Sequence, residues 1–83
     1  MKVRVRYFAS LRERLGPEEA VELPEGGTVA ALRAQLVARG GAHAEVLAAG
    51  RAVRCARDQR MCAESEVLDE GAEVAFFPPV TGG

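Results

Sequence analysis

Residues 2–8 alternate without a break. Val3, Val5 and Tyr7 fall on one side, Arg4, Arg6 and Phe8 on the other. A two-residue period suits a strand with one buried face, because successive side chains point to opposite sides of a sheet. The chain must therefore build a sheet covered on one side, and it has 83 residues with which to do so. A chain this short buries only about 60% of the surface it exposes when unfolded, so one core is the practical limit. Its apolar fraction of 48% is nevertheless normal for a globular protein and too high for disorder.

The cover for that sheet follows from the middle of the chain. Thr28 is a good helix N-cap. Behind it Val29, Leu32, Leu36 and Val37 recur at helical spacing, with Arg33, Gln35 and Arg39 assigned elsewhere on the wheel. Gly40-Gly41 is expected to end this main helix. The alanine-rich stretch 42–49, with Val46 and Leu47, predicts one or two further helical turns. His43 lies near its start and is expected to be exposed. A shorter helix is predicted from Leu11 to Leu15. There Ser10 and Glu13 have capping-box spacing, and Gly16 and Pro17 stop the helix.

Further strands are expected at Glu19–Leu23, pairing antiparallel with the first, and at Glu73–Phe77. Between them, Arg51–Arg57 and Arg60–Ala63 read as a hairpin around Asp58-Gln59. A two-residue loop then pairs Arg57 with Arg60, Ala56 with Met61 and Cys55 with Cys62. The facing cysteines fit either two reduced core thiols or a reversible disulfide. The first is the expectation for a cytoplasmic protein. Pro24–Gly27 and Asp69-Glu70-Gly71 are turns, and Glu64–Leu68 is a connector. The result is an α+β fold: a mixed sheet of four or five strands with helices on one face. If the first and last strands lie side by side and parallel, it is a β-grasp arrangement. By parity, Phe8, Met61 and Phe77 all fall on the side without helices. One exposed apolar residue needs no explanation, but three together make a binding patch.

Charge and composition exclude several functions. Eleven basic residues face twelve acidic ones, and the arginines are scattered, so no basic face for nucleic acid is expected. No apolar run is long enough for a membrane span, and the N-terminus lacks a signal-peptide core. The expected location is cytoplasmic. Two cysteines and one histidine at this spacing do not suggest a metal site. No nucleophile–base pair is evident.

The segment Phe76-Phe77-Pro78-Pro79-Val80-Thr81-Gly82-Gly83 is the part a plain small domain does not need. The prolines cannot donate hydrogen bonds, so pairing stops there and the chain is held extended. Gly82 and Gly83 have no side chains, so a carboxylate on Gly83 can enter a narrow channel. Extended, the residues after Phe77 reach roughly 20 Å. Residues 1–77 are thus expected to form the domain and 78–83 a tail, which reads either as a loose end or as a presented carboxylate.

Three segments then point to one family. They are the closing run from Asp69 to Gly83, the opening Val3-Arg4-Val5-Arg6-Tyr7-Phe8-Ala9-Ser10-Leu11-Arg12-Glu13, and the helix start Thr28-Val29-Ala30-Ala31-Leu32. Along its whole length the chain resembles the small, sulfur-carrying subunits of molybdopterin synthase, which are ubiquitin-like β-grasp proteins. It departs from them at the hairpin tip, where Arg57-Asp58 stands in place of a frequent apolar residue and Asn.

The resemblance implies that an ATP-dependent adenylyltransferase activates the Gly83 carboxylate and that sulfur transfer makes it a thiocarboxylate. The large catalytic subunit, in a heterotetramer of two small and two large chains, then passes the sulfur to a cyclic pyranopterin phosphate. It implies that Pro78, Pro79, Val80, Thr81 and Gly82 give access, and that Phe8, Met61 and Phe77 pack against partners. No stably bound cofactor or metal is implied, and the active site is expected on the large subunit. A carrier for thiamine or cysteine synthesis, and a modifier joined to lysines of other proteins, are the alternatives that a diglycine end leaves open.

Overall fold

The strict alternation of the first strand is realised in the computed structural model, which describes residues 1–79. β1 (Lys2–Tyr7) buries Val3, Val5 and Tyr7 almost completely and turns Lys2, Arg4 and Arg6 outward. β2 (Glu18–Glu22) runs antiparallel to it, and β5 (Glu73–Phe77) runs parallel to it on the other side. β3 (Arg54–Arg57) pairs antiparallel with β5, and β4 (Arg60–Cys62) closes the sheet. The order is β2-β1-β5-β3-β4. Five strands around a parallel β1–β5 pair form the expected β-grasp.

Three helices cover one face: α1 (Ala9–Leu15), α2 (Val29–Val37) and α3 (Gly41–Leu47). α2 supplies Val29, Leu32 and Leu36 to a core completed by Tyr7, Leu47, Val74 and Phe76, all at most 1% exposed. Thr28 caps α2 as expected, its Oγ1 accepting from the Ala31 N–H at 3.1 Å. Gly16 ends α1 with a φ of 89°, a backbone region open to glycine at little cost.

Several local expectations are corrected. Ser10 does not cap α1: the helix begins at Ala9, after Phe8, with no side-chain cap. The reason is tertiary. The Phe8 N–H donates to the Phe76 carbonyl at 3.2 Å, and the Phe8 carbonyl accepts from Leu11 and Arg12. The sheet thereby sets the helix start earlier than a serine cap would, and Ala9 takes a left-handed φ of 53°. β3 begins at Arg54, not Arg51, because residues 48–53 form a loop. His43 is half-buried, bonded to Glu19 at 2.9 Å. Arg33, assigned away from the buried stripe, lies inside the protein.

The hairpin register is as expected, with Cys55 opposite Cys62. Asp58 and Gln59 both take positive φ, 47° and 70°, the signature of a type I′ turn. The tip is sewn to β5: the Asp58 N–H donates to the Glu73 carbonyl, and Asp58 Oδ1 accepts from the Glu73 N–H.

Candidate functional site

The tail departs from the middle of the sheet. β5 is flanked by β1 and β3, and its last residue, Phe77, has Arg54 as register partner on β3. On β1, Tyr7 partners Phe76, so Phe8 stands beside Phe77. Parity sends Tyr7 and Phe76 into the core, where their rings stack with centroids 6.5 Å apart. The same parity sends Phe8 and Phe77 to the open face. Pro78 and Pro79 follow, half-buried and outside any strand. Neither has an N–H, so neither can extend the ladder. Val80, Thr81, Gly82 and Gly83, the expected access residues and reactive end, lie outside the described residues.

Met61 lies on β4, two strands from Phe77. Its register partner is Ala56, and Ala56 in turn faces Ala75 of β5. A floor of small side chains thus joins the Phe8–Phe77 end of the face to Met61. Phe8 is 37% exposed and Met61 55%, while Phe77 is half-buried. The Arg6 guanidinium sits 5.2 Å from the Phe8 ring centroid, a cation–π placement that gives the patch a positive rim. The structure brings the three named residues onto one face with no helix over it.

The helix side carries two polar clusters. Glu19 accepts from the Tyr7 hydroxyl and the Arg39 guanidinium and bonds His43. Burial pushes the Glu19 carboxyl up, but these three partners outweigh it and hold it below the usual carboxylate range. Burial, then Glu19 itself, drives the Tyr7 hydroxyl far above the ordinary tyrosine range. The cluster ties α3 to β1 and β2. The cysteine sulfurs are 3.8 Å apart as free thiols. Burial, then the Cys62 contact, pushes Cys55 up to about 12, so it stays protonated and is a poor nucleophile.

Two features escaped sequence reasoning. One is an open groove of about 520 Å³, bounded by Leu11, Val46, Arg51, Val53 and Pro78. The other is Arg33, which lies four residues after Val29 and three before Leu36, both buried. Helical spacing therefore placed it on the buried stripe, and only the habit of counting arginine as a surface residue pointed the other way. Among the described residues no helix is long and apolar enough to cross a membrane.

Comparison with known proteins agrees with this geometry. The chain matches the ThiS family over residues 5–83, a span that includes the diglycine. It is 37% identical to the molybdopterin synthase sulfur carrier subunit of Escherichia coli K12, with 98% of this chain and 99% of that one aligned. Among solved structures it is similar to a candidate molybdopterin converting factor subunit 1 from Pyrococcus furiosus. There the TM-score is 0.80 and the identity 33%, with 96% and 99% of the two chains covered. It is also similar to small archaeal modifier protein 1 of Haloferax volcanii, with a TM-score of 0.78, 26% identity, and 95% and 98% covered. Matched along nearly its full length in both sequence and fold, this chain belongs to the ThiS family.

Proposed function

We propose that this chain is the sulfur carrier subunit of a molybdopterin synthase. The observation that carries the reading is the family match over residues 5–83, which aligns the diglycine itself. A relative of that name aligned over 98% of the chain supports it further. In this reading the body is a substrate that two partners grip in turn. The Gly83 carboxylate attacks the α-phosphorus of ATP in the adenylyltransferase and displaces pyrophosphate. A carboxylate is a poor acyl donor to sulfur until one oxygen becomes part of a phosphate leaving group. Sulfide-level sulfur from the donor then attacks the acyl carbon, expels AMP and leaves a thiocarboxylate. In the large subunit that sulfur, a softer nucleophile than oxygen, is delivered to the cyclic pyranopterin phosphate.

The sheet's open face is the grip. Phe8, Met61 and Phe77 supply apolar contact. Pro78 and Pro79 start the tail in an extended direction, and Gly82 supplies the clearance for Gly83. A complex of two small and two large subunits in the cytoplasm is part of the proposal. So is the absence of a resident cofactor, the ATP belonging to the activating enzyme.

Intact-mass measurement after incubation with the activating enzyme, ATP and a sulfur donor tests it. The expected product has one oxygen replaced by sulfur at Gly83. Deleting Gly83, or adding a residue after it, is expected to abolish sulfur transfer and leave the thermal midpoint unchanged. Normal pterin conversion by either variant defeats the mechanism. A second reading, covalent attachment to other proteins, is favoured by the likeness to the archaeal modifier protein. Isopeptide-linked conjugates in cell extracts, with no thiocarboxylate form, would decide for it.

A further inference from the structure

Cys55 and Cys62 are a reactive pair that the carrier reading leaves unused. They face each other across β3 and β4, and their sulfurs are 3.8 Å apart as free thiols. Their surroundings differ. Cys55 is 4% exposed, and its thiol donates weakly to the Cys62 carbonyl at 3.3 Å. Cys62 is half-buried and lines an open groove of about 560 Å³ with Arg57, Asp58, Arg60, Met61 and Glu66. One thiol is therefore open to a small reagent, and the other stands directly behind it.

The backbone suits a bond between them. Facing residues of an antiparallel pair have Cα atoms about 4.5–5.5 Å apart, inside the roughly 4.4–6.8 Å that disulfides span. The two side chains already meet, so closing to an S–S length of about 2.05 Å asks for a shift of under ~2 Å. β4 is the part that can give. It has three residues, lies at the sheet edge and pairs only with β3.

We propose that Cys55 and Cys62 form a reversible disulfide site, oxidised by a low-molecular-weight disulfide of the glutathione class and reduced by thiols. The order of events follows from access. The Cys62 thiol loses its proton to solvent and attacks one sulfur of the reagent. The reagent's S–S bond breaks, one thiolate leaves, and Cys62 is held in a mixed disulfide. Burial is the first reason that Cys55 keeps its proton and the Cys62 contact the second, and the mixed disulfide removes the second. Cys55 then gives its proton to the departing thiolate as its sulfur attacks Cys62 Sγ, and the reagent's other half leaves as a thiol. Two protein thiols are oxidised, and one disulfide is reduced to two thiols. Proximity offsets the weak nucleophilicity of Cys55, because a partner held in contact acts at a very high effective concentration. The site does not depend on whether Gly83 carries sulfur.

The test is incubation of the reduced full-length chain with excess glutathione disulfide under native conditions, followed by acid quench, alkylation, intact mass and peptide mapping. The wild type is expected to lose the mass of two hydrogens, to keep no alkylatable thiol and to yield a Cys55–Cys62 cross-linked peptide from the monomer. Dithiothreitol is expected to restore both thiols. Cys55→Ala is expected to stop as a mixed disulfide on Cys62. Cys62→Ala is expected to react roughly tenfold more slowly than Cys55→Ala, because Cys55 is the buried thiol. Two alkylatable thiols left in the wild type, a wild type that stops at the mixed disulfide, or a cross-link between two chains overturns the proposal. So does an oxidation rate that climbs in proportion to the unfolded fraction in low denaturant, since the unfolded chain is then what reacts. Equal rates in the two variants overturn Cys62 as the point of entry. Should Cys55→Ala not fold, the wild-type mass and peptide map decide alone.

Discussion

Phe76 and Phe77 are the same residue type, one position apart on one strand, yet they belong to different parts of the molecule. Phe76 is fully buried, stacked on Tyr7 beneath the helices. Phe77 points to the face that no helix covers, beside Phe8 and above the alanine floor that leads to Met61. The strand period alone separates them. The covered face holds the fold together. The open face keeps apolar surface that the fold does not need, and that is surface a partner can bury. Together they show how a small domain divides its apolar residues between a packed core and a face left open.

The sharpest way to break this comparison is to truncate each ring in turn. Phe76→Ala leaves a cavity in the core beside Tyr7 and should cost about 3–5 kcal/mol, read as a fall in denaturation midpoint. In a domain of this size such a loss consumes much of the total stability. Phe77→Ala should cost about 1 kcal/mol of stability. It should weaken binding to the large subunit by about 2 kcal/mol, close to thirtyfold in Kd. Equal losses in stability and affinity for Phe77→Ala would mean that it is core and that the two faces do not differ. Met61→Ala refines the same contrast at the far end of the patch. Its effect on the midpoint should be small, because the side chain is more than half exposed.

This division was legible in sequence because a two-residue period and a two-residue loop are local. Val3, Val5 and Tyr7 named the buried face, and Asp58-Gln59 fixed the register that puts Cys55 opposite Cys62. What was not legible depends on distant backbone. The start of α1 is set by the Phe8 bond to Phe76, a residue near the other end of the chain, and this overrides the Ser10–Glu13 pattern. The strand predicted from Arg51 gives way to a loop because Arg33 draws in the carbonyls of Leu47, Ala48 and Arg51.

Arg57 makes the opposite point. It sits at the hairpin tip, where the chain departs from the sulfur-carrier pattern, and binds carboxylates: Asp69 at 2.6 Å and Glu66 at 3.3 Å. The Asp69 bond is the main reason its guanidinium holds its proton even more firmly than usual. Arg33 gathers three backbone carbonyls and the Glu64 carboxylate inside the protein, whereas Arg57 gathers mainly carboxylates, with the single Val67 carbonyl, at the hairpin. Only helical spacing hinted at the first. The candidate site shows the same split: strand parity disclosed Phe8, Met61 and Phe77, while the groove at Pro78 required the folded loop.

The smallest expected effect concerns the covered face and is read with pH. Glu19 joins β2 to α3 through His43, to β1 through Tyr7, and to Arg39 beyond the end of α2. Its carboxyl is held below its ordinary range because these three partners favour the charged form more than burial opposes it. A depressed folded-state pKa means that the unfolded chain binds the proton first. The contribution is therefore fully present above the unfolded value of about 4.3 and is lost as pH falls through the lower folded value. Solvent reaches the cluster, so screening should keep the contribution below about 1 kcal/mol. Glu19→Gln should remove it. Wild type and variant should then differ most in stability at neutral pH and converge in acid. A constant difference across that acid range would mean that Glu19 contributes through packing and not through its charge, and that this corner of the covered face is held by shape alone.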